Sequence, residues 1–216
     1  MSMSRTDVIV HLVRARGYDR YLEIGVEHPE NNFDRIPVTT KVGVEAFPRK
    51  SGFRDRPIHE CTSKEFFETR NKEAFDIIFI DGDHSYEGSS YDFVEACKIL
   101  KDGGTIVMHD CLPRHRQLIG DKPVDAEAPW CGGVWRVWMN ICQSAMRTEV
   151  MLVNTDFGCG VYSPSSDPIH YTDFSPSLEE KALGHLAVVT PLVFMTKLEY
   201  ERAARAMRLD EPVLLG

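Results

Sequence analysis

Between residues 21 and 108 the chain repeats one pattern, a short apolar run that stops on polar groups. YLEIG (Tyr21–Gly25), KVGVEA (Lys41–Ala46), FDIIFI (Phe75–Ile80) and TIVM (Thr105–Met108) are the clearest runs, and 56–61 is a weaker one. Runs of four to eight apolar residues bounded by turn signals read as buried strands. The segments between them carry helical spacing. Val8, Ile9, Leu12 and Val13 share a face over 5–16, with Gly17 as a stop. SKEFFETR (63–70) reads as a short helix with Ser63 as its cap. Residues 85–100 place Tyr86, Phe93, Ala96, Cys97 and Leu100 on one face, and Lys101–Gly104 reads as a turn.

Strands alternating with helices predict a parallel sheet covered on both faces. In such sheets ligands sit outside the carboxyl ends of the strands. Glu23 with Gly25, Glu45, Asp81 with Asp83 and His84, and His109 with Asp110 all fall at those ends. They converge on one cleft.

Beyond Asp110 the pattern changes. Residues 111–133 form a proline-containing polar segment, long enough for a lid or an acceptor-binding loop. A helix is expected over 134–146, then two short strands at 149–153 and 158–162 around a hairpin-like turn. Residues 163–177 read as a loop, and 178–186 and 190–209 as helices. The expected organisation is therefore a domain over 1–165 and a C-terminal helical extension over 166–216. That extension packs on the domain, where it closes the cleft, or on a partner subunit in a homo-oligomer.

The formal net charge of −8 argues against a general electrostatic hold on nucleic acid or anionic lipid. No apolar run reaches membrane-spanning length, and the first twenty residues do not read as a signal peptide. Cysteines at 61, 97, 111, 131, 142 and 159 form no C-x-x-C pair. They read as reduced thiols of a cytoplasmic protein.

The first strand leads into a loop with one glycine, Gly25, flanked by Glu23 and Glu27. A dinucleotide-binding turn uses three glycines so that a pyrophosphate can approach a helix N-terminus. An acidic turn instead suits a cation, and S-adenosylmethionine brings a sulfonium and an amino group without phosphate. Glu45, ending the second strand, is placed to accept hydrogen bonds from both ribose hydroxyls.

YLEIGVE, KVGVEAFPR, TSKEFF, FDIIFIDGDHSYEGSSYDF, LKDGGTIVMHDCLP and VNTDFGCGVY follow one another along the chain. In order and spacing they resemble class I S-adenosylmethionine-dependent methyltransferases, most of all the branch called methyltransferase domain 24. The resemblance covers roughly residues 18–162. It implies a doubly wound, Rossmann-like α/β fold with a seven-stranded sheet, mostly parallel with a terminal antiparallel strand. It implies that Glu23 and Gly25 line the methionine portion of the donor, Glu45 the ribose, and Thr62 and Ser63 the adenine side.

The pair IDGDH and MHDC further resembles the metal-binding motifs of catechol-type and sugar-modifying O-methyltransferases. Carried over, Asp81 and Asp110 hold Mg²⁺ or another divalent metal. The third position falls on Cys111, a poor ligand for a hard cation, so His109 or Asp83 completes the sphere. The metal-free alternative has Asp81 hydrogen-bonding the donor directly. The catechol-type base lies three residues after the first metal aspartate, and His84 stands there. His84 and His109 are both carried forward as base, with helix capping and a structural role as their respective alternatives.

The expected activity is methyl transfer to a hydroxyl of a small molecule, sugar or glycan. Two rivals are a nicotinamide-dependent oxidoreductase and a non-catalytic Rossmann-like binding module.

Overall fold

The computed structural model describes residues 3–48, 53, 55–70, 73–114, 116–120, 122–125, 128–144, 150–164 and 194–195. The first helix, α1 (Arg5–Arg16), starts at a reciprocal cap between Ser4 and Asp7 and ends at Gly17, whose φ of 66° is left-handed. Both ends are therefore set locally, as a Ser-x-x-Asp start and a glycine stop dictate.

Strands β1 (Arg20–Ile24), β2 (Thr40–Val44), β3 (Ile58–His59), β4 (Phe75–Ile80) and β5 (Leu100–Met108) pair in parallel. Strands β6 (Val150–Val153) and β7 (Cys159–Tyr162) form the antiparallel hairpin, and β7 pairs with β5. The order across the sheet is β3-β2-β1-β4-β5-β7-β6-β8. The expected seven-stranded sheet, mostly parallel with an antiparallel end, is present. An eighth strand of two residues, Phe194–Met195, adds to β6.

Side chains alternate between the two faces of these strands, and each face has its own core. Leu22, Ile24, Ile78, Ile80, Ile106 and Met108 pack with residues of α2 (Ser63–Arg70), α3 (Tyr86–Ile99) and α4 (Val134–Ser144). Tyr21, Ile77, Phe79 and Val107 pack on the other side with Val8, Ile9 and Leu12 of α1. Trp138 is fully buried and Trp135 nearly so, which makes both tryptophans of α4 core residues.

Four local expectations change. Thr62, not Ser63, caps α2: its hydroxyl accepts from the Glu65 N–H at 3.2 Å, and the Glu65 carboxylate accepts from the Thr62 N–H at 2.9 Å. The third strand is only Ile58–His59. Lys101–Gly104 belongs to an irregular start of β5, where Gly103 takes φ 76° and the register with β4 shifts. Phe194–Met195, expected within a helix, pairs as a strand. There its backbone pairs with Leu152 and Val153 of β6. The rest of 166–216 lies outside the described residues.

Among the described residues no helix is long and apolar enough to cross a membrane. All six cysteines are thiols.

Candidate functional site

Gly25 ends β1 at φ 84°, and a Cβ placed on it would lie 2.1 Å from the Asp81 carbonyl oxygen. Only glycine lets the ends of β1 and β4 abut this closely. The Asp81 N–H donates to the Ile24 carbonyl at 2.8 Å, and the His109 N–H to the Ile80 carbonyl at 3.0 Å. The polar residues after β1, β4 and β5 thus share one crevice at the carboxyl edge of the sheet.

Glu45 stands beside them at the end of β2. One carboxylate oxygen accepts from the Glu27 N–H and the other from the Phe47 N–H, each at 2.9 Å. Phe47 itself is 85% exposed. Glu23 behaves differently: it is 2% exposed and its carboxyl accepts from the Tyr21 hydroxyl at 2.5 Å and the Asn32 amide at 3.1 Å. Burial pushes its pKa up to about 8. Thr62 is engaged in the α2 cap. Ser63 opens that helix with its hydroxyl facing Asp92, a carboxyl 1% exposed. Burial raises Asp92 to about 6, opposed only in part by the Ser63 hydroxyl.

The centre of the crevice is a charge cluster. His84 Nε2 lies 3.5 Å from Asp81 Oδ1 and 3.5 Å from Asp110 Oδ2. Its Nδ1 lies 2.6 Å from the Trp130 carbonyl, with the Trp130 ring tilted over the imidazole at 5.3 Å between centroids. A carbonyl accepts only from an N–H, so Nδ1 carries the proton and Nε2 turns to the carboxylates. The Gly133 N–H donates to the His84 carbonyl at 2.7 Å, and a Cβ on Gly132 would meet that carbonyl at 2.2 Å. The end of the 111–133 segment is thereby seated on the His84 turn.

His109 is 3% exposed. Its Nδ1 lies 3.1 Å from Asp81 Oδ1 and 3.4 Å from Asp110 Oδ2, and its Nε2 lies 3.7 Å from Asp156 Oδ2. Burial pulls its pKa down, but Asp81, Asp110 and Asp156 together raise it well above the ordinary histidine value. Burial also weakens His84 as a cation, yet Asp81 and Asp110 lift it to about 9. Against the cost of burial, His109, His84 and Arg5 hold Asp81 well below the usual carboxylate range.

Sequence reasoning missed Arg5 and Asp156. Arg5 Nη1 lies 2.5 Å from Asp81 Oδ2, and its Nε 2.8 Å from Asp156 Oδ2. Asp156 sits in the β6–β7 turn at φ 46°. Two signals were available: a basic residue in the first turn of a helix, where the dipole disfavours cations, and the polar turn NTDFG.

Asp83 and Cys111 stand apart from the cluster. Asp83 accepts from the Ser85 N–H at 2.8 Å at the start of α3. Cys111 is fully buried, with its thiol directed at the Met108 carbonyl, and packs beside Trp138 and Gly160. The donors that fit a cation are Asp81, His84 and Asp110, whose nearest ligand atoms all lie within 4.8 Å of one another. Two carboxylates and one imidazole, once its Nε2 has lost its proton, are donors of the type that binds a divalent cation.

A family model described as a methyltransferase domain matches residues 9–111. A search of curated proteins finds no match to the chain. Among solved structures, an O-methyltransferase from Bacillus cereus in complex with SAH is similar at 20% identity and a TM-score of 0.55. That match covers 76% of this chain and 81% of the other. The O-methyltransferase TomG from Streptomyces achromogenes, involved in tomaymycin synthesis and in complex with SAM, is similar at 17% identity and 0.51, covering 76% and 82%. The SAH-bound methyltransferase PaMTH1 from Podospora anserina is similar at 20% identity and 0.53, covering 74% and 78%. At these identities the likeness is one of fold. With the domain match, it upholds the resemblance to class I methyltransferases drawn from the sequence.

Proposed function

We propose, from the premise that residues 9–111 form a methyltransferase domain, that the protein transfers the methyl group of S-adenosylmethionine to a hydroxyl oxygen of a small-molecule, sugar or glycan acceptor. The observation that carries this reading is Glu45 beside the Gly25 bend. Its carboxylate is fixed at the end of β2 by two backbone N–H groups, one per oxygen. A carboxylate has about four lone-pair positions, so two remain for the ribose hydroxyls. A pre-oriented acceptor pair of this kind binds a diol without first losing side-chain freedom.

Methyl transfer is an in-line displacement at carbon, and the sulfonium is already a good leaving group. The protein's work is to hold donor and acceptor in line and to take the acceptor's proton. His109 is ill suited to the second task, because three carboxylates keep it protonated. The His84 Nε2 is the candidate nitrogen, since Trp130 engages Nδ1, and it becomes free to accept a proton as pH rises toward about 9. It sits between Asp81 and Asp110, so the imidazolium formed on accepting a proton is stabilised.

Asp81, Asp110 and His84 also fit a divalent cation. Bound there, a cation would make a nearby hydroxyl more acidic. His84 Nε2 cannot be ligand and base at once.

The test is transfer of labelled methyl from S-adenosylmethionine to a panel of diols, sugars and nucleotide sugars between pH 6 and 10, with and without EDTA. A rate insensitive to EDTA that rises up to about pH 9 supports His84 as base. A rate abolished by EDTA supports the cation site. Transfer to amines and not to hydroxyls contradicts the assignment to oxygen.

A further inference from the structure

Four charged residues from four distant segments close a ring at the crevice: Arg5 from α1, Asp81 after β4, His109 after β5, and Asp156 from the β6–β7 turn. Around it run Arg5 Nη1 to Asp81 Oδ2 at 2.5 Å, Asp81 Oδ1 to His109 Nδ1 at 3.1 Å, His109 Nε2 to Asp156 Oδ2 at 3.7 Å, and Asp156 Oδ2 to Arg5 Nε at 2.8 Å. Charge alternates at every step. Arg5 and Asp156 both lie outside the segment matched to the methyltransferase domain.

Arg5 is held where it is by more than its partners. The cap between Ser4 and Asp7 fixes the first turn of α1, and the Thr155 hydroxyl donates to the Met3 carbonyl, tying the hairpin turn to the same segment. A cation in the first turn of a helix works against the dipole. The two carboxylates that Arg5 bridges offset that cost.

We infer that Arg5 is a positioning residue that sets the strength of divalent-cation binding in the crevice, by engaging one oxygen of Asp81 and presenting a fixed positive charge beside it. The inference rests on the reading of Asp81, Asp110 and His84 as the cation's ligands. With Oδ2 engaged by Arg5, Asp81 would offer a cation only Oδ1, which His109 Nδ1 also approaches at 3.1 Å. A guanidinium this close also repels a doubly charged ion. The arrangement keeps the cation weakly held and exchangeable, and it keeps the carboxylates balanced when no cation is bound.

Mn²⁺ is the probe. Its binding to the full chain is followed by electron paramagnetic resonance, and S-adenosylhomocysteine binding is measured on the same samples by calorimetry. Arg5→Gln removes the charge and keeps much of the reach, and Arg5→Met serves in its place if that variant is unfolded by circular dichroism. The neutral variant is expected to bind Mn²⁺ about tenfold more tightly than the wild type. Arg5→Lys, which restores the charge, is expected to return to within about threefold of the wild type. A purely structural role for Arg5 would weaken Mn²⁺ binding in every variant.

Mn²⁺ affinity that is unchanged or weaker in the folded neutral variant overturns the inference, as does absence of Mn²⁺ binding to both proteins. Absence of S-adenosylhomocysteine binding to the wild type would count against the methyltransferase reading alone. The ratio of Mn²⁺ affinities would still decide the role of Arg5.

Discussion

Nδ1 of His109 lies 3.1 Å from Oδ1 of Asp81, and the same ring turns its other nitrogen toward Asp156 at 3.7 Å. One buried imidazolium thus stands between carboxylates from two separate parts of the chain. His109→Gln leaves Asp81, Asp110 and Asp156 facing one another with less compensation. The expected loss is about 3–5 kcal/mol, the cost of breaking a buried ion pair from one side. Urea unfolding at pH 7 measures it. Because the folded-state pKa of His109 is raised, its contribution is complete below the ordinary histidine value and is lost as pH climbs through the raised one.

Glu23 predicts a second pH effect. Its folded pKa of about 8 lies above the ordinary glutamate value, so the neutral form is the one the fold favours. Its contribution to stability is complete below about pH 4.3 and falls as pH rises toward 8. In Glu23→Gln that part of the decline is absent. A thermal melt series from pH 4.5 to 8.5 is expected to give a flatter profile for the variant, with its largest advantage over the wild type at the alkaline end.

Glu45→Ala removes the proposed ribose acceptor without touching the core. Each hydrogen bond to a charged group contributes about 1.5–3 kcal/mol, so S-adenosylhomocysteine binding should weaken roughly 10- to 100-fold or more. The melting temperature should change little, because Glu45 is only half-buried. Glu45→Gln, which keeps acceptor capacity at one oxygen, should fall between the two. Equal affinity in all three proteins would remove Glu45 from the site.

Gly25→Ala sets a backbone limit. The new Cβ would press on the Asp81 carbonyl at a φ that favours glycine. The variant should lose at least about 1–3 kcal/mol of stability and S-adenosylhomocysteine affinity together. Gly17→Ala offers a control, since Gly17 has a positive φ and open space around it. It should lose about 1 kcal/mol with no effect on binding.

Much of this molecule was legible because burial and chemistry separate cleanly along each strand. Ile77 to Ile80 are apolar because helices cover both faces of the sheet, and Asp81 is polar because the strand ends there. That boundary can be read without a structure. Arg5 was not legible as a site residue, because its partners lie 76 and 151 positions away and only the fold brings them together. The choice between His84 and His109 was equally hidden. Both follow strands in similar company, and they differ in what surrounds each ring: a carbonyl on one side of His84, carboxylates on both sides of His109. The cap of α2 was misplaced by one residue, since Thr62 and Ser63 are both good caps and Glu65 decides between them.

Calorimetric titration of the wild-type chain with S-adenosylhomocysteine bears most directly on the whole account. A single site is expected, with a dissociation constant on the order of 1–100 μM, while NAD⁺ and NADP⁺ give no heat under the same conditions. No detectable binding of S-adenosylhomocysteine or S-adenosylmethionine to folded protein, or tighter binding of a nicotinamide dinucleotide, would contradict it.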